Sequence, residues 1–429
     1  MYNNDKSQLG HLDVVPNGRI YGYSDELRFE RDQVALTHTG RYSFGTWDSN
    51  LMRNKTETFG RTIPGKNSGG DYGAPVPAVP SAIVGSDRKL ENTNLIFDTK
   101  LSSAIGESHI LTVGGQWWKA KMTDGYAGSD FEQKTWAVFA EDEWRLRDDL
   151  ALTLGGRYDK HDAFGGHISP RAYLVWNAND SWTLKGGVSQ GYKTPTLNEL
   201  HDGINGATGQ GATVTIGNPN LEPEESTNYE IGAYFDNLAG FNANATLFHN
   251  KFKDKISSGD AISHPLCAGN TNGTCSQSIN VDKAITQGLE LAAKWQFAPN
   301  WAISANYTYT DSEQKSGADK GQPLTNTPKH IANAKLDWQT TDRLNLWLKS
   351  EYRGKRARFT SSYANLADNN RMSTNQSIYN TLGKNIKAYT LFHLGGSYKA
   401  SENVTLTATI YNLFDKDFLN CTPYTTYRN

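Results

Sequence analysis

Leu150, Leu152, Leu154, Gly156 and Tyr158 alternate along the chain with Ala151, Thr153, Gly155 and Arg157. A period of two with one apolar face predicts a half-buried strand, because a helix would scatter the leucines around its circumference. The same alternation sets Trp301, Ile303, Ala305, Tyr307 and Tyr309 against Ala302, Ser304, Asn306, Thr308 and Thr310. It recurs at Leu344, Leu346 and Leu348, and again at Val404, Leu406, Ala408 and Ile410. Sixteen segments read this way, near 25–38, 41–58, 89–104, 107–122, 132–146, 149–162, 167–177, 181–192, 226–237, 240–257, 279–297, 300–312, 328–339, 343–358, 386–399 and 402–416.

The connections between these segments are of two kinds. Short ones are expected at Thr39-Gly40-Arg41, Ile105-Gly106-Glu107, Arg147-Asp148-Asp149, Asn177-Ala178-Asn179-Asp180, Leu238-Ala239-Gly240, Ala298-Pro299-Asn300, Thr340-Thr341-Asp342 and Ser401-Glu402-Asn403. Longer polar stretches fall between them, near 60–88, 123–131, 193–225, 258–279, 313–327 and 359–385. Strict alternation of the two gives an up-and-down antiparallel sheet one trimmed rim and one overgrown rim, the form of a transmembrane β-barrel. Many segments exceed the roughly 9–11 residues that cross a bilayer with tilt, so their excess projects on the long-loop side.

Aromatic residues sharpen this reading. Trp144, Trp182, Phe235, Phe241, Trp295, Trp301 and Trp338 all lie within a few residues of a tight turn, as in a membrane-interface belt. The polar faces carry isolated charges (Arg157, Glu290, Lys294, Lys349) that a wet lumen accommodates. A soluble sandwich or propeller would hide its apolar faces in one core and favour shorter strands.

Mean hydropathy is −0.63, and no run of about 18 apolar residues marks a transmembrane helix. Neither point weighs against a barrel, whose strands present only alternate residues to lipid. The net charge of −2 is unlike that of a nucleic-acid-binding protein. Of three cysteines, Cys267 and Cys275 share a Gly- and Asn-containing loop that lets the chain fold back, which predicts a local disulfide and an oxidising compartment. No histidine or second cysteine pair stands at metal-ligand spacing, and Cys421 is left over. Enzyme signatures such as His-Glu-x-x-His and Gly-x-Ser-x-Gly are missing, so neither catalysis nor a cofactor is expected.

Several stretches carry a family resemblance. The most specific is Gly217-Asn218-Pro219-Asn220-Leu221-Glu222-Pro223-Glu224-Glu225-Ser226-Thr227, followed by Asn228-Tyr229-Glu230-Ile231-Gly232. Upstream stands Gly191-Tyr192-Lys193-Thr194-Pro195-Thr196-Leu197-Asn198-Glu199-Leu200, and near the end Tyr411-Asn412-Leu413-Phe414-Asp415-Lys416-Asp417-Phe418. In this order they resemble the TonB-dependent outer-membrane receptors of Gram-negative bacteria, across nearly the whole chain. Taken singly, Pro195, Pro219 and Pro223 stiffen a loop, Asn412 and Asp415 stop a strand, and Glu222, Glu224 and Glu225 orient a loop rather than bind metal. Phe29-Glu30-Arg31-Asp32-Gln33-Val34-Ala35-Leu36-Thr37-His38, Phe44-Gly45-Thr46 and Arg61-Thr62-Ile63-Pro64-Gly65 resemble the ferric enterobactin and colicin I receptor branch.

The resemblance implies a 22-stranded barrel with an N-terminal plug and a box that engages the TonB–ExbB–ExbD complex. On that basis residues 1–429 are expected to be one barrel segment, sixteen strands without the plug, about the first five strands or the last. The implied ligand is a ferric siderophore of catecholate type; haem or cobalamin uptake, a passive 16-stranded porin, or a docking surface for colicin or phage are the alternatives. An anionic tris-catecholate needs cations and ring faces. Candidates on the long-loop side are Arg61, Lys66, Lys193, Lys355, Arg356 and Arg358 for charge, with Tyr72, Tyr192 and Tyr363 for rings.

Overall fold

The computed structural model describes residues 23–64, 73–76, 79–208, 213–259, 262–268, 273–280, 283–317, 319–360 and 374–418. Sixteen strands form one sheet, each antiparallel to its sequence neighbour. We number these wall strands β1 (Tyr23–Tyr42), β2 (Gly45–Arg61), β3 (Leu90–Ile105), β4 (His109–Asp124), β5 (Ser129–Arg147) and β6 (Leu150–His161). They continue as β7 (Gly165–Asn177), β8 (Trp182–Lys193), β9 (Glu224–Asp236), β10 (Phe241–Lys253) and β11 (Ala284–Ala298). The last five are β12 (Trp301–Gln314), β13 (His330–Thr341), β14 (Leu344–Arg353), β15 (Tyr389–Lys399) and β16 (Thr405–Ile410). The order runs without crossover from β1 to β16, the two ends of the sheet.

Register places the apolar parity of every strand on one face. In one row Leu36 pairs with Leu51, Leu51 with Phe97, Phe97 with Trp117 and Trp117 with Trp136. These side chains are open rather than packed: Ile231 is 64% exposed, Leu247 57% and Val138 52%. The opposite face holds charges that pair among themselves. Arg157 donates to both carboxylate oxygens of Asp159 and, 2.9 Å away, to Gln116, which in turn donates to Asp98. A sheet that is apolar outside and hydrogen-bonded inside belongs in a bilayer around a wet lumen.

The short-turn rim bears the expected aromatic belt. Trp182 meets Phe235 at 4.8 Å between ring centroids, Phe235 meets Phe241, Trp295 meets Phe297 at a tilt, and Phe297, Trp301 and Trp338 stack in succession. A second tier on the same face includes Trp117, Trp136 and Tyr158, with Trp136 and Tyr158 at 5.6 Å. Eight residues separate Trp136 from Trp144, about 26 Å along a strand and about 20 Å along the normal at a 40° tilt. That is close to the roughly 25 Å apolar band of such barrels.

Three connections differ from expectation. β1 runs through Thr39-Gly40-Arg41 and turns at Ser43-Phe44 instead, because Gly45 adopts φ +146° against the Ser102 carbonyl, where a Cβ would clash. The stretch 123–131 is a tight turn at 125–128, since Phe131 and Gln133 are buried strand residues rather than loop. The connection between β6 and β7, at 162–164, is short as well, so the overgrown rim is not uniformly overgrown. The segment near 402–416 shortens to Thr405–Ile410, beyond which Asn412 and Asp415 take positive φ and end the strand.

Candidate functional site

The buried core of this protein lies above the wall. Ile63, Val76, Val79, Ala82, Val84, Tyr126, Ile204, Val214, Ile216, Cys267 and Cys275 form one apolar cluster, and none of them belongs to a wall strand. They come from four connections: 62–89, 125–128, 194–223 and 254–283. In the first, Ile63 exchanges backbone bonds with Ser86 and Gly85 at 2.8 Å, and the strand Val79–Ile83 pairs with Pro75–Val76. The turn at 125–128 presses on that strand so closely that a Cβ on Gly128 would meet Val79 at 2.9 Å.

A charged fork fastens these two pieces. Arg88 Nε and Nη2 donate to the two oxygens of Asp124 at 2.7 and 2.6 Å, a bidentate geometry of the strong kind. Asp124 also accepts the Tyr126 backbone N–H at 3.0 Å, and the Arg88 guanidinium lies 5.5 Å from the Tyr126 ring centre. Burial pushes the Tyr126 phenol up; Asp124 adds to this and Arg88 opposes it.

The two longest loops of this group share a sheet. Thr213–Ile216 pairs antiparallel with Ile204–Thr208 and parallel with Thr274–Asn280, which also pairs with Ile256–Ser258 and Ile262–Ser263. Cys267 and Cys275 are disulfide-bonded inside it, both fully buried. The Gly217–Thr227 motif fastens the two loops to each other. Asn218 Nδ2 donates to Ser278 O at 3.0 Å, Gly217 O accepts from Gln277, and Leu221 is buried. The Glu222 backbone exchanges two 2.8 Å bonds with the Asn280 side chain. Glu224 accepts the Ile256 N–H at 2.9 Å and an ion pair from Lys193 at 3.4 Å. Of the motif's carboxylates, that of Glu224 therefore ties a loop, while that of Glu225 lies 3.6 Å from both His167 and Lys253 on the wall strands.

A second assembly stands over the later strands. Arg356–Ala357 pairs with Asn385–Ile386, the helix α1 (Thr374–Leu382) lies between them in sequence, and Ile378 and Ile386 are buried. It is tied to the 315–329 loop: Asn326 N donates to Ala357 O, Thr360 Oγ1 to Asp319 at 2.5 Å, and Lys384 Nζ to Gln322.

The candidate ligand contacts divide between the two assemblies. Arg61 ends β2 half-buried, its carbonyl accepting from Arg88 N. Tyr192 and Lys193 stand at the foot of the 194–223 loop, with the Tyr192 ring 4.4 Å from that of His167. Lys355 is exposed and Arg356 partly so, whereas Arg358 is only 7% exposed and lies within the second assembly rather than on its surface. Lys66, Tyr72 and Tyr363, with Cys421, lie outside the described residues.

A cavity of about 430 Å³ between the tops of β5 and β6 and the 194–223 loop escaped the sequence reading. Phe131, Leu197 and Leu200 form its apolar part, His161 and His201 border it, and Asp130, Glu132, Asp162 and Asp202 ring it. His201 packs edge-on to Phe131 at 4.9 Å. The Asp130 and Glu132 carboxylates of that rim are already engaged, by Lys121 at 2.7 Å and by Lys119 at 3.0 Å. No local pattern joins Phe131 to His201 or, 36 positions apart, Arg88 to Asp124, so neither this cavity nor that fork was legible in the sequence.

Comparison with known proteins agrees with this architecture. A family model described as "TonB dependent receptor-like, beta-barrel" matches residues 2–413. An iron-regulated outer membrane virulence protein of Vibrio cholerae is 36% identical over 77% of this chain and 49% of its own length. A ferric enterobactin receptor of Pseudomonas aeruginosa is 30% identical over 91% of this chain and 54% of its own. The chain thus spans about half the length of the curated relatives it matches. A crystal structure of a ferric enterobactin receptor from Pseudomonas aeruginosa superposes with a TM-score of 0.74 at 27% identity, covering 92% of this chain and 57% of that one.

Proposed function

This chain belongs to the TonB-dependent receptor β-barrel family, and from that premise we propose that it supplies most of the wall and cap of an outer-membrane receptor for ferric siderophores, catecholate chelates foremost. The observation that carries the ligand class is the 30% identity to a ferric enterobactin receptor across 91% of the chain. Residues 1–429 act in this reading as one barrel unit, gated by a plug domain and energised by the TonB–ExbB–ExbD complex. The anionic chelate meets Arg61 and Lys193 on one loop assembly and Lys355 and Arg356 on the other. Tyr192 offers a ring face at the foot of the first. Colicins or phages that exploit such receptors would dock on the same two assemblies.

Uptake decides the reading. Cells starved of iron, and dependent on the complete protein, should accumulate ⁵⁵Fe from ferric enterobactin only while TonB is present. Equal accumulation without TonB would return the protein to the passive porins. Growth on haem or cobalamin but not on the catecholate would replace the ligand class and leave the family intact.

A further inference from the structure

Below the cap, on the lumenal face, a hollow of about 360 Å³ opens between β10 and β14. One row of direct cross-strand neighbours forms its floor: Asn242 pairs with Lys294, Lys294 with Ser304, Ser304 with Lys335 and Lys335 with Lys349. The row above joins Asn244, Ala292, Asn306 and Asn333 in the same way. Small side chains at Ala292 and Ser304 leave the space open, and parity sets these rows opposite the lipid-facing Trp295, Leu336 and Leu348. Lys294 stands four residues before the end of β11 and Lys335 six before the end of β13. Those distances are about 13–20 Å along a strand and about 10–15 Å along the normal, which puts the hollow at or below mid-height of the wall.

Three amines line this hollow, Lys294, Lys335 and Lys349, and among the described residues no carboxylate does. Lys335 and Lys349 face each other directly, a like-charge pairing that costs stability unless each is compensated. Compensation comes from outside the hollow: Asp337 meets Lys335 at 2.5 Å and Glu351 meets Lys349 at 2.5 Å. Glu351 also stands 3.8 Å from His393, which closes the row beyond Lys349. Lys294 has no ion-pair partner among the described residues. Asp236, which extends the row past Asn242, accepts the Leu238 N–H at 2.7 Å, and Glu290 lies four residues above Lys294 on the same face. Asn333 Nδ2 donates to Asn306 Oδ1 at 2.8 Å, which leaves the Asn306 N–H groups for another acceptor. One unpaired ammonium and two compensated ones, with amide donors above them, suit an anion rich in oxygen acceptors.

We propose that this hollow is a transit site for the transported anion, one arm of the ferric catecholate resting on Lys294, Lys335 and Lys349 after it leaves the cap. The proposal rests on the reading of the chain as a receptor for that chelate and adds a second station to it. Arg61, Lys193, Lys355 and Arg356 receive the chelate at the open end, and the lysine row lies along the wall between them and the short-turn rim. Catecholate oxygens accept from the ammonium groups, while the asparagine amides donate to carbonyl oxygens of the same arm. Two of the three lysines keep carboxylates of their own, so the row holds an anion loosely enough to release it, as passage through successive sites requires.

Binding and transport together test the site, in the complete protein and in iron-starved cells. Lys294→Gln with Lys335→Gln should leave equilibrium binding of ferric enterobactin within about twofold, while the maximal rate of ⁵⁵Fe uptake falls roughly fivefold or more. Ser304→Glu, which sets a carboxylate in the middle of the row, should reproduce that split. Lys294→Arg with Lys335→Arg should keep the natural rate. Unaltered uptake in the glutamine variant, an equal loss of binding and uptake, or slow uptake in the arginine variant would each overturn the site. So would entry of vancomycin into cells carrying the glutamine variant, because a leaking barrel would show that the row seats the plug rather than the chelate. If the natural protein takes up no iron from ferric enterobactin, the ligand reading fails and the site falls with it. If it does, and only the variants disagree, the receptor stands without this second station.

Discussion

The wall and the cap obey opposite solvent rules. In the wall, Leu247, Ile231 and Val138 are exposed and the charged Asp159 is buried. In the cap, Ile63, Ile216 and Tyr126 are buried to within a few per cent, as in a soluble domain. One polypeptide thus folds partly for hydrocarbon and partly for water, and the boundary between the regimes is the ring of strand tops from Arg61 to Lys253. The wall is held by ladder hydrogen bonds that lipid cannot replace, the cap by apolar burial that water drives.

The sharpest way to break the contrast is one charge on each face. Leu247→Arg, mid-strand and outward, should cost about 2–4 kcal/mol of stability in vesicles, while Thr308→Arg on the lumenal parity should stay within about 0.5 kcal/mol. Urea titration of the refolded barrel in lipid reads both. Equal costs would mean that the two faces do not see different solvents.

Next in size is the disulfide. Cys267→Ala with Cys275→Ala frees a link across 8 positions, worth about 2–3 kcal/mol to the cap in the loop-entropy account. Hydrogen exchange should quicken in 204–208, 213–216 and 274–280, while β10 and β11 stay protected. Simultaneous loss in the wall strands would show that cap and wall unfold as one.

Arg61→Ala and Arg356→Ala, one on each assembly, should each weaken ferric enterobactin binding by about tenfold, the scale of one charge-assisted hydrogen bond. Calorimetry on the complete protein measures this. An effect at only one of the two would confine the chelate to that assembly.

The smallest effect concerns pH. Tyr126 keeps its proton longer when folded, because burial disfavours the phenolate. Its contribution is complete below about pH 10, the ordinary tyrosine value, and is lost as pH rises through the elevated folded value. Limited proteolysis within 79–83 should therefore accelerate above pH 10 in the natural protein and much less in Tyr126→Phe. Identical alkaline profiles would remove Tyr126 as the cause.

The wall was legible because its information is local. Alternation at 150–158 names the strand and its face together, and all sixteen predicted segments have counterparts in the sheet. Errors gathered where glycine misled: Gly40 suggested a turn, but its φ is not positive, whereas Gly45 occupies a conformation that other residues avoid. The cap was illegible for the converse reason. Thr215 finds Ser276 across 61 positions in a parallel register that no periodicity announces, and α1 has little amphipathic pattern to reveal it. The candidate cations were named from the sequence, but not the fact that Arg358 is buried or that Glu224 engages Lys193.

Surface loops of most proteins drift in sequence one at a time. Here Val79 from one loop, Tyr126 from a turn, Ile216 from a second loop and Cys267 from a third sit in a single cluster, so each constrains the rest. Antigenic change in this cap must therefore come in matched sets or be confined to outward positions such as Pro219 and Asn220. A peptide tag spliced between Pro219 and Asn220 should be displayed on living cells, whereas the same tag beside Ile216 should abolish display. The part of the molecule most visible to antibodies is also the part least free to change piecemeal.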